Sequence, residues 1–239
     1  VTWRWWEALL IFLVGNIAIG GIFVGGLIIA ALGVTDYDEI LSGSGKFVVG
    51  LGADLAFAGV LAAWMRSRHP GWLSAVGLIG VRRPVREFAI GAGLGLLLYP
   101  AIMIASGMIL ALFEELSGRE LTPPEQVPEG LSSGGKALVV ILAVFVAPVI
   151  EEIFFRGLLF RSVRDRRGFW IGVVVSSAVF GLVHWEAGAW LEVLVLQTTM
   201  VLTGIGLAAV YERRGTLVAS IGTHFMFNVI GVAIILWTG

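Results

Sequence analysis

Seven stretches of this sequence, at roughly 5–33, 46–66, 87–113, 137–160, 169–186, 189–211 and 216–238, are apolar over lengths that suit ~30 Å of bilayer hydrocarbon. Lipid offers no water to backbone N–H and C=O groups, so such segments must be helices packed on one another. The predicted fold is therefore all-α, a polytopic transmembrane helical bundle of about seven spans, with residues 1–239 forming one domain. The chain is 58% apolar and only 14% charged, which sets it apart from soluble proteins. The first stretch is too long for a signal-peptide core and reads as a permanent span.

The loops between the stretches alternate in sign. Arg66, Arg68, Arg82, Arg83 and Arg86 occupy the second connection, Arg161, Arg164, Arg166 and Arg167 the fourth, and Arg213 and Arg214 the sixth. Asp36, Asp38 and Glu39 occupy the first, Glu114, Glu115, Glu120, Glu125 and Glu129 the third, and Glu186 the fifth. The excess of positive charge on alternate loops puts the N-terminus in the cytoplasm. A net charge of −1 argues against a nucleic-acid partner, and the absence of cysteine removes disulfides, thiolate nucleophiles and cysteine zinc sites. Any chemistry must come from carboxylates, histidines, hydroxyls and amides.

Polar residues inside the apolar stretches are the candidate site. Glu151 and Glu152 interrupt the run from Ala137 to Phe160, where a carboxylate costs several kcal/mol unless paired, protonated or hydrated. Glu152 and Arg156 are four apart and share a helix face, whereas Glu151 points about 100° away. That spacing predicts an ion pair between Glu152 and Arg156 and leaves Glu151 free to take a proton from water. Phe180 and His184 are one turn apart on the fifth stretch, as are His224 and Asn228 on the seventh, with Ser220 one turn earlier. His184 could hold the water, and His224 with Asn228 could supply N–H donors to an oxyanion. Glu151, His184 and His224 would equally suit a zinc ion with one open position, so activation by glutamate alone and by zinc both stay open. A depth count sets a condition: at 1.5 Å per residue Glu151 is ~15 Å from Arg161 and His224 ~14 Å from Gly215, but His184 is ~24 Å from Gly168. The fifth helix must start beyond the bilayer or tilt if His184 is to join the others.

At these residues the chain resembles the CPBP family of intramembrane proteases, which includes CAAX prenyl endopeptidases and bacterial proteins of bacteriocin processing or self-immunity. The resemblance lies in three ordered motifs: Glu151, Glu152 and Arg156, then Phe180 and His184, then His224 and Asn228. It covers 137–238, the expected catalytic helices, and leaves 1–136 as accessory spans. It implies an endopeptidase in which Glu151 and His184 activate water, His224 and Asn228 stabilise the oxyanion, and Glu152, Arg156 and Phe180 support them. The implied partners are the bilayer and a peptide or protein substrate, membrane-anchored or prenylated, in the plasma membrane of a prokaryote. A proton-coupled transporter or a non-catalytic immunity or scaffold protein would use similar residues, although the two halves of the chain show no repeat.

The remaining polar and aromatic residues carry structural expectations. The nine tryptophans, Trp3 and Trp72 among them, lie near span ends and read as interfacial anchors. Residues 72–79 suggest a short interfacial helix, and His69 reads as solvated. Asp54 reads first as a structural hydrogen-bonding group and second as part of a hydrated cavity. Gly91 and Gly95 have the spacing of close helix contact. Pro148 should kink the fourth helix beside the glutamates. The loop holding Pro123, Pro124, Pro128 and the run Ser132–Gly135 is expected to be mobile.

Overall fold

Every predicted span is a helix in the computed structural model, which describes residues 1–32, 44–124 and 133–238. The helices are α1 (residues 5–32), α2 (Ser44–Arg68), α3 (Trp72–Ala75), α4 (Pro84–Ser117), α5 (Ser133–Arg167), α6 (Phe169–Val183), α7 (Trp190–Arg214) and α8 (Leu217–Thr238). Among the described residues, five segments are long and apolar enough to cross a membrane: Trp5–Ile28, Pro84–Ser117, Ser133–Arg167, Trp190–Arg214 and Leu217–Trp237. The protein is a multi-pass membrane protein. The expected span at 169–186 is corrected: α6 stops at Val183 after 15 residues, or ~22 Å, short of a full crossing. The acidic first loop, Glu125, Glu129, Pro128 and Ser132 lie outside the described residues.

Ion pairs at the ends of the helices fix their directions. Arg164 at the end of α5 meets Glu212 at the end of α7 at 2.5 Å, and Arg214 meets Glu87 at the start of α4 at 2.7 Å. Glu7 at the start of α1 bonds His69 just beyond the end of α2 at 3.0 Å. The helix ends flanked by the basic loops are therefore gathered at one end of the bundle, and successive long helices run antiparallel, as the alternating loop charges require.

Three expectations about that end are corrected. His69 is buried rather than solvated, held between Thr2 Oγ1 at 2.9 Å and Glu7 Oε1 at 3.0 Å. Trp3 is also buried; its Nε1 donates to Leu158 O at 3.1 Å, so the segment before α1 is tied under α5 instead of sitting among headgroups. Trp72 is buried too, because the turn after α3 folds into the bundle. There the Gly77 carbonyl accepts from Leu217 N at 3.1 Å and Thr216 Oγ1 at 2.7 Å, which satisfies donors at the start of α8 that no helical carbonyl can reach. Trp5, Trp6, Trp170, Trp185, Trp190 and Trp237 remain exposed, as anchors should be.

The contact between α4 and α8 depends on missing side chains. A Cβ on Gly91 would fall 1.9 Å from Ala219 O, and one on Gly95 would fall 2.7 Å from Thr223 O. Close approach of the two backbones lets Thr223 Oγ1 donate to Gly91 O at 2.9 Å, and it sets the rotation of α8 one residue before His224.

Candidate active site

Pro148 shapes the helix that carries the glutamates. Residues Val140–Val146 run in the wide π register, in which Ala147 N donates to Leu142 O, five residues back. The next bond in that register would join residue 148 to Ala143 O, but proline has no N–H. Asn228 supplies the missing donor, its Nδ2 lying 2.6 Å from Ala143 O. A second wide stretch, Ile153–Phe160, also gives up carbonyls to neighbours: Phe155 O accepts from Ser176 Oγ at 3.0 Å and Leu158 O from Trp3. Polar groups released by Pro148 and the widened turns thus lock α5 to α6, α8 and the N-terminal segment. One N–H of Asn228 is therefore committed to structure. We expect Asn228→Ala to lower the midpoint of unfolding as well as any activity, with a stability loss of about 1–3 kcal/mol for the stranded carbonyl; unfolding of the purified protein in denaturant measures it.

The two adjacent glutamates have opposite surroundings. Glu152 is fully buried; its Oε1 accepts from Arg156 Nη1 at 2.8 Å and His224 Nδ1 at 3.0 Å, and its Oε2 accepts a short bond from Ser220 Oγ. Arg156, also fully buried, donates through Nη2 to Gly204 O at 3.1 Å and lies over the Phe180 ring at 4.7 Å. By contrast, Glu151 Oε2 is buried without a hydrogen-bond partner among the described residues. It lies 3.8 Å from His184 Nε2 and 3.9 Å from His224 Nε2. Both separations exceed a direct hydrogen bond, and a buried polar atom left unsatisfied is the kind of exception that marks a functional group.

The histidine tautomers follow from their other nitrogens. His184 Nδ1 is 2.7 Å from Phe180 O, which can only accept, so Nδ1 carries the proton. His224 Nδ1 faces the Glu152 carboxylate in the same way. Each neutral ring therefore turns a lone pair at Nε2 toward Glu151, and His224 can donate an N–H from Nε2 only as imidazolium. Phe180 is wedged between the two rings and Arg156, 4.4 Å from His184 and 5.9 Å from His224 by ring centroid.

The depth condition is resolved by where the helices begin. Helix α5 continues through Arg167, six residues past Arg161, and α6 runs back along it: Gly172 meets Arg164, Ser176 meets Phe155 and His184 meets Glu151. Counted from Arg167, Glu151 is also ~24 Å in. Helix α8 starts deeper, with Leu217 beside Gly157, so His224 reaches the same level after about two turns.

Two cavities share Glu151, Ala147 and His184. The first, of about 390 Å³, is bounded by α4, α5, α6, α7 and α8 and is lined mainly by apolar side chains such as Tyr99, Ile102, Met103 and Phe227, with His224 and Asn228 beside the carboxylate. The second, of about 230 Å³, is bounded by α1, α2, α5 and α6 and includes Asn16 and Asp54. Asp54 makes no hydrogen bond or ion pair with any described residue, which favours the hydrated-cavity role over a structural bond. Sequence reasoning missed Asn16, Gly204 and the carbonyl of Ala143; the last was legible in principle from Pro148, the first two only from the packing. Among the described residues no group of three acidic or histidine side chains is arranged to hold a metal, so ligation by Glu151, His184 and His224 gains no support from the geometry.

Residues 133–230 match the family described as Type II CAAX prenyl endopeptidase Rce1-like. A Bacillus subtilis protein named "Putative membrane peptidase YdiL" is 34% identical over 91 residues, which cover 38% of this chain and 34% of that protein. The chain thus aligns with about a third of the length of this relative. No solved structure matches the chain significantly.

Proposed function

With residues 133–230 matching the family of Rce1-like type II CAAX prenyl endopeptidases, we propose that the chain is an intramembrane endopeptidase that hydrolyses a peptide bond with water activated by Glu151 and His184. The observation that carries this is the unsatisfied, buried Glu151 Oε2, nearly equidistant from two imidazole Nε2 atoms and open to the first cavity. A water placed among these three groups would have a base and a second acceptor to orient it.

In the proposed reaction Glu151 takes one proton from that water as its oxygen bonds to the substrate carbonyl carbon. The carbonyl oxygen becomes an oxyanion, facing His224 as imidazolium and the second N–H of Asn228. Glu152 accepts the Nδ1 proton of His224 and so fixes the orientation of the ring, while Arg156 pairs with Glu152. Collapse breaks the C–N bond, and Glu151 returns its proton to the departing amine. Phe180 keeps the two imidazoles apart.

The apolar lining of the first cavity suits a membrane-anchored or prenylated peptide. Met103 and Ile235, both on its wall, are partly exposed, so the apolar lining continues to the surface of the bundle and such a substrate could enter from the lipid. The Bacillus relative agrees with a home in the plasma membrane of a prokaryote.

Liposome-reconstituted protein incubated with a mixture of anchored and farnesylated peptides, followed by mass spectrometry of new termini, tests the assignment: defined cleavage products are expected, and intact peptides at high enzyme load would refute it. The same preparation decides the role of zinc. We expect activity to survive strong chelators, with zinc far below one equivalent per chain. Stoichiometric zinc lost in step with activity would instead make Glu151, His184 and His224 the ligand candidates.

A further inference from the structure

The family match covers one wall of the second cavity, on α5 and α6, whereas the opposite wall, with Asn16 and Asp54, comes from α1 and α2, outside residues 133–230. We propose that it is a water chamber, in which Asp54 and Asn16 position the hydrolytic water, so that water and peptide reach Glu151 from opposite sides. This rests on the hydrolytic reading above and adds a route and two positioning residues to it.

Three observations combine. The chamber's volume of about 230 Å³ would hold about seven waters at ~30 Å³ each. Its polar groups are unspent, because neither Asp54 nor Asn16 has a side-chain hydrogen bond with any described residue. A carboxylate at this depth with no cation paired to it among the described residues must be hydrated or protonated, and both states call for water or a hydrogen-bond partner beside it. The walls are also rigid. Phe57 packs edge-on to Phe12 and Phe154 at 6.1 and 5.3 Å, and Phe12 stacks on Phe154 at 5.7 Å, so the space cannot easily collapse.

The first cavity is the poorer source of water. Beyond Glu151, the two histidines, Asn228, Thr199 and Thr203, its lining is apolar or aromatic, and a bound peptide would displace whatever solvent it holds. Asp54 and Glu151 line the same chamber. A water chain begun at Asp54 would therefore end at the Glu151 carboxyl, which is shared by both cavities.

The chamber is tested by drying it. Asp54→Leu and Asn16→Leu are expected to lower kcat on the order of 10–100-fold through misplaced water, with KM within about twofold of the parent. Asp54→Asn keeps a hydrogen-bonding group in the same volume and should restore most of the loss. Met103→Trp, in the first cavity, should do the reverse and raise KM. A readout independent of turnover is X-ray radiolytic labelling in liposomes, which marks side chains beside bound water. Phe57 and Phe154 should be labelled in the parent and lose label in Asp54→Leu. Unlabelled Phe57 and Phe154 in the parent overturn the chamber even if peptide is cleaved, and an unchanged kcat in both leucine variants overturns its catalytic use. Labelling in a parent protein that cleaves nothing overturns the protease reading and, with it, hydrolysis from this water.

Discussion

Glu151→Gln is expected to reduce turnover by roughly 10³-fold or more while leaving the stability of the protein almost unchanged, because the amide keeps the shape of the carboxyl and removes only its ability to accept a proton. The stability half of this expectation comes from the surroundings of the side chain. Glu151 Oε2 makes no hydrogen bond among the described residues, so no structural bond is lost in the exchange. Glu152→Gln must behave differently, since Glu152 is fully buried and accepts from Arg156, His224 and Ser220. Initial rates on a cleavable peptide, with unfolding curves for both variants, separate the neighbours. A Glu151→Gln protein that turns over near the parent rate would remove the base from the proposal; a stable Glu152→Gln protein would contradict the bond network.

That division between adjacent carboxylates was legible in the sequence, because a spacing of four joins Glu152 to Arg156 and turns Glu151 away. The helical nature of the seven apolar stretches was legible too, since lipid leaves the backbone of such runs no other choice, although the fifth is shorter than a full crossing. Their ends were less so. Helix α5 outruns its apolar segment through Arg164 and Arg167, where ion pairs rather than hydropathy extend it, and this is what brings His184 to the depth of Glu151. His69, Trp3 and Trp72 were misplaced for a related reason. Each sits near a charge or a span end, where composition suggests solvent, but tertiary hydrogen bonds to Glu7, Thr2 and Leu158, and the burial of the turn after α3, take them inside. The proline signal was read as a kink; its consequence, a carbonyl taken up by Asn228, needed the π register to be visible.

Arg156→Ala is the substitution expected to damage the fold most. Arg156 and Glu152 are both fully excluded from solvent, and removing one member of such a pair strands the other charge at a cost of about 3–5 kcal/mol. Arg156 also donates to Gly204 O at 3.1 Å and covers the Phe180 ring, so its loss opens a hole between α5, α6 and α7. Lysine should rescue little, because one ammonium cannot reproduce the separate bonds from Nη1 and Nη2. If the stranded carboxylate is the main cost, pairing Arg156→Met with Glu152→Gln should regain much of the stability, since the buried charge disappears along with its partner. The double variant should nonetheless stay poorly active: an amide at 152 holds the His224 Nδ1 proton less strongly than a carboxylate and so fixes less firmly the ring that would face the oxyanion. Denaturant unfolding and peptide turnover, measured on the two single variants and the double, therefore read separately the two tasks of one ion pair. Recovery of stability without recovery of rate is the expected pattern, and full recovery of both would show that Glu152 contributes packing alone.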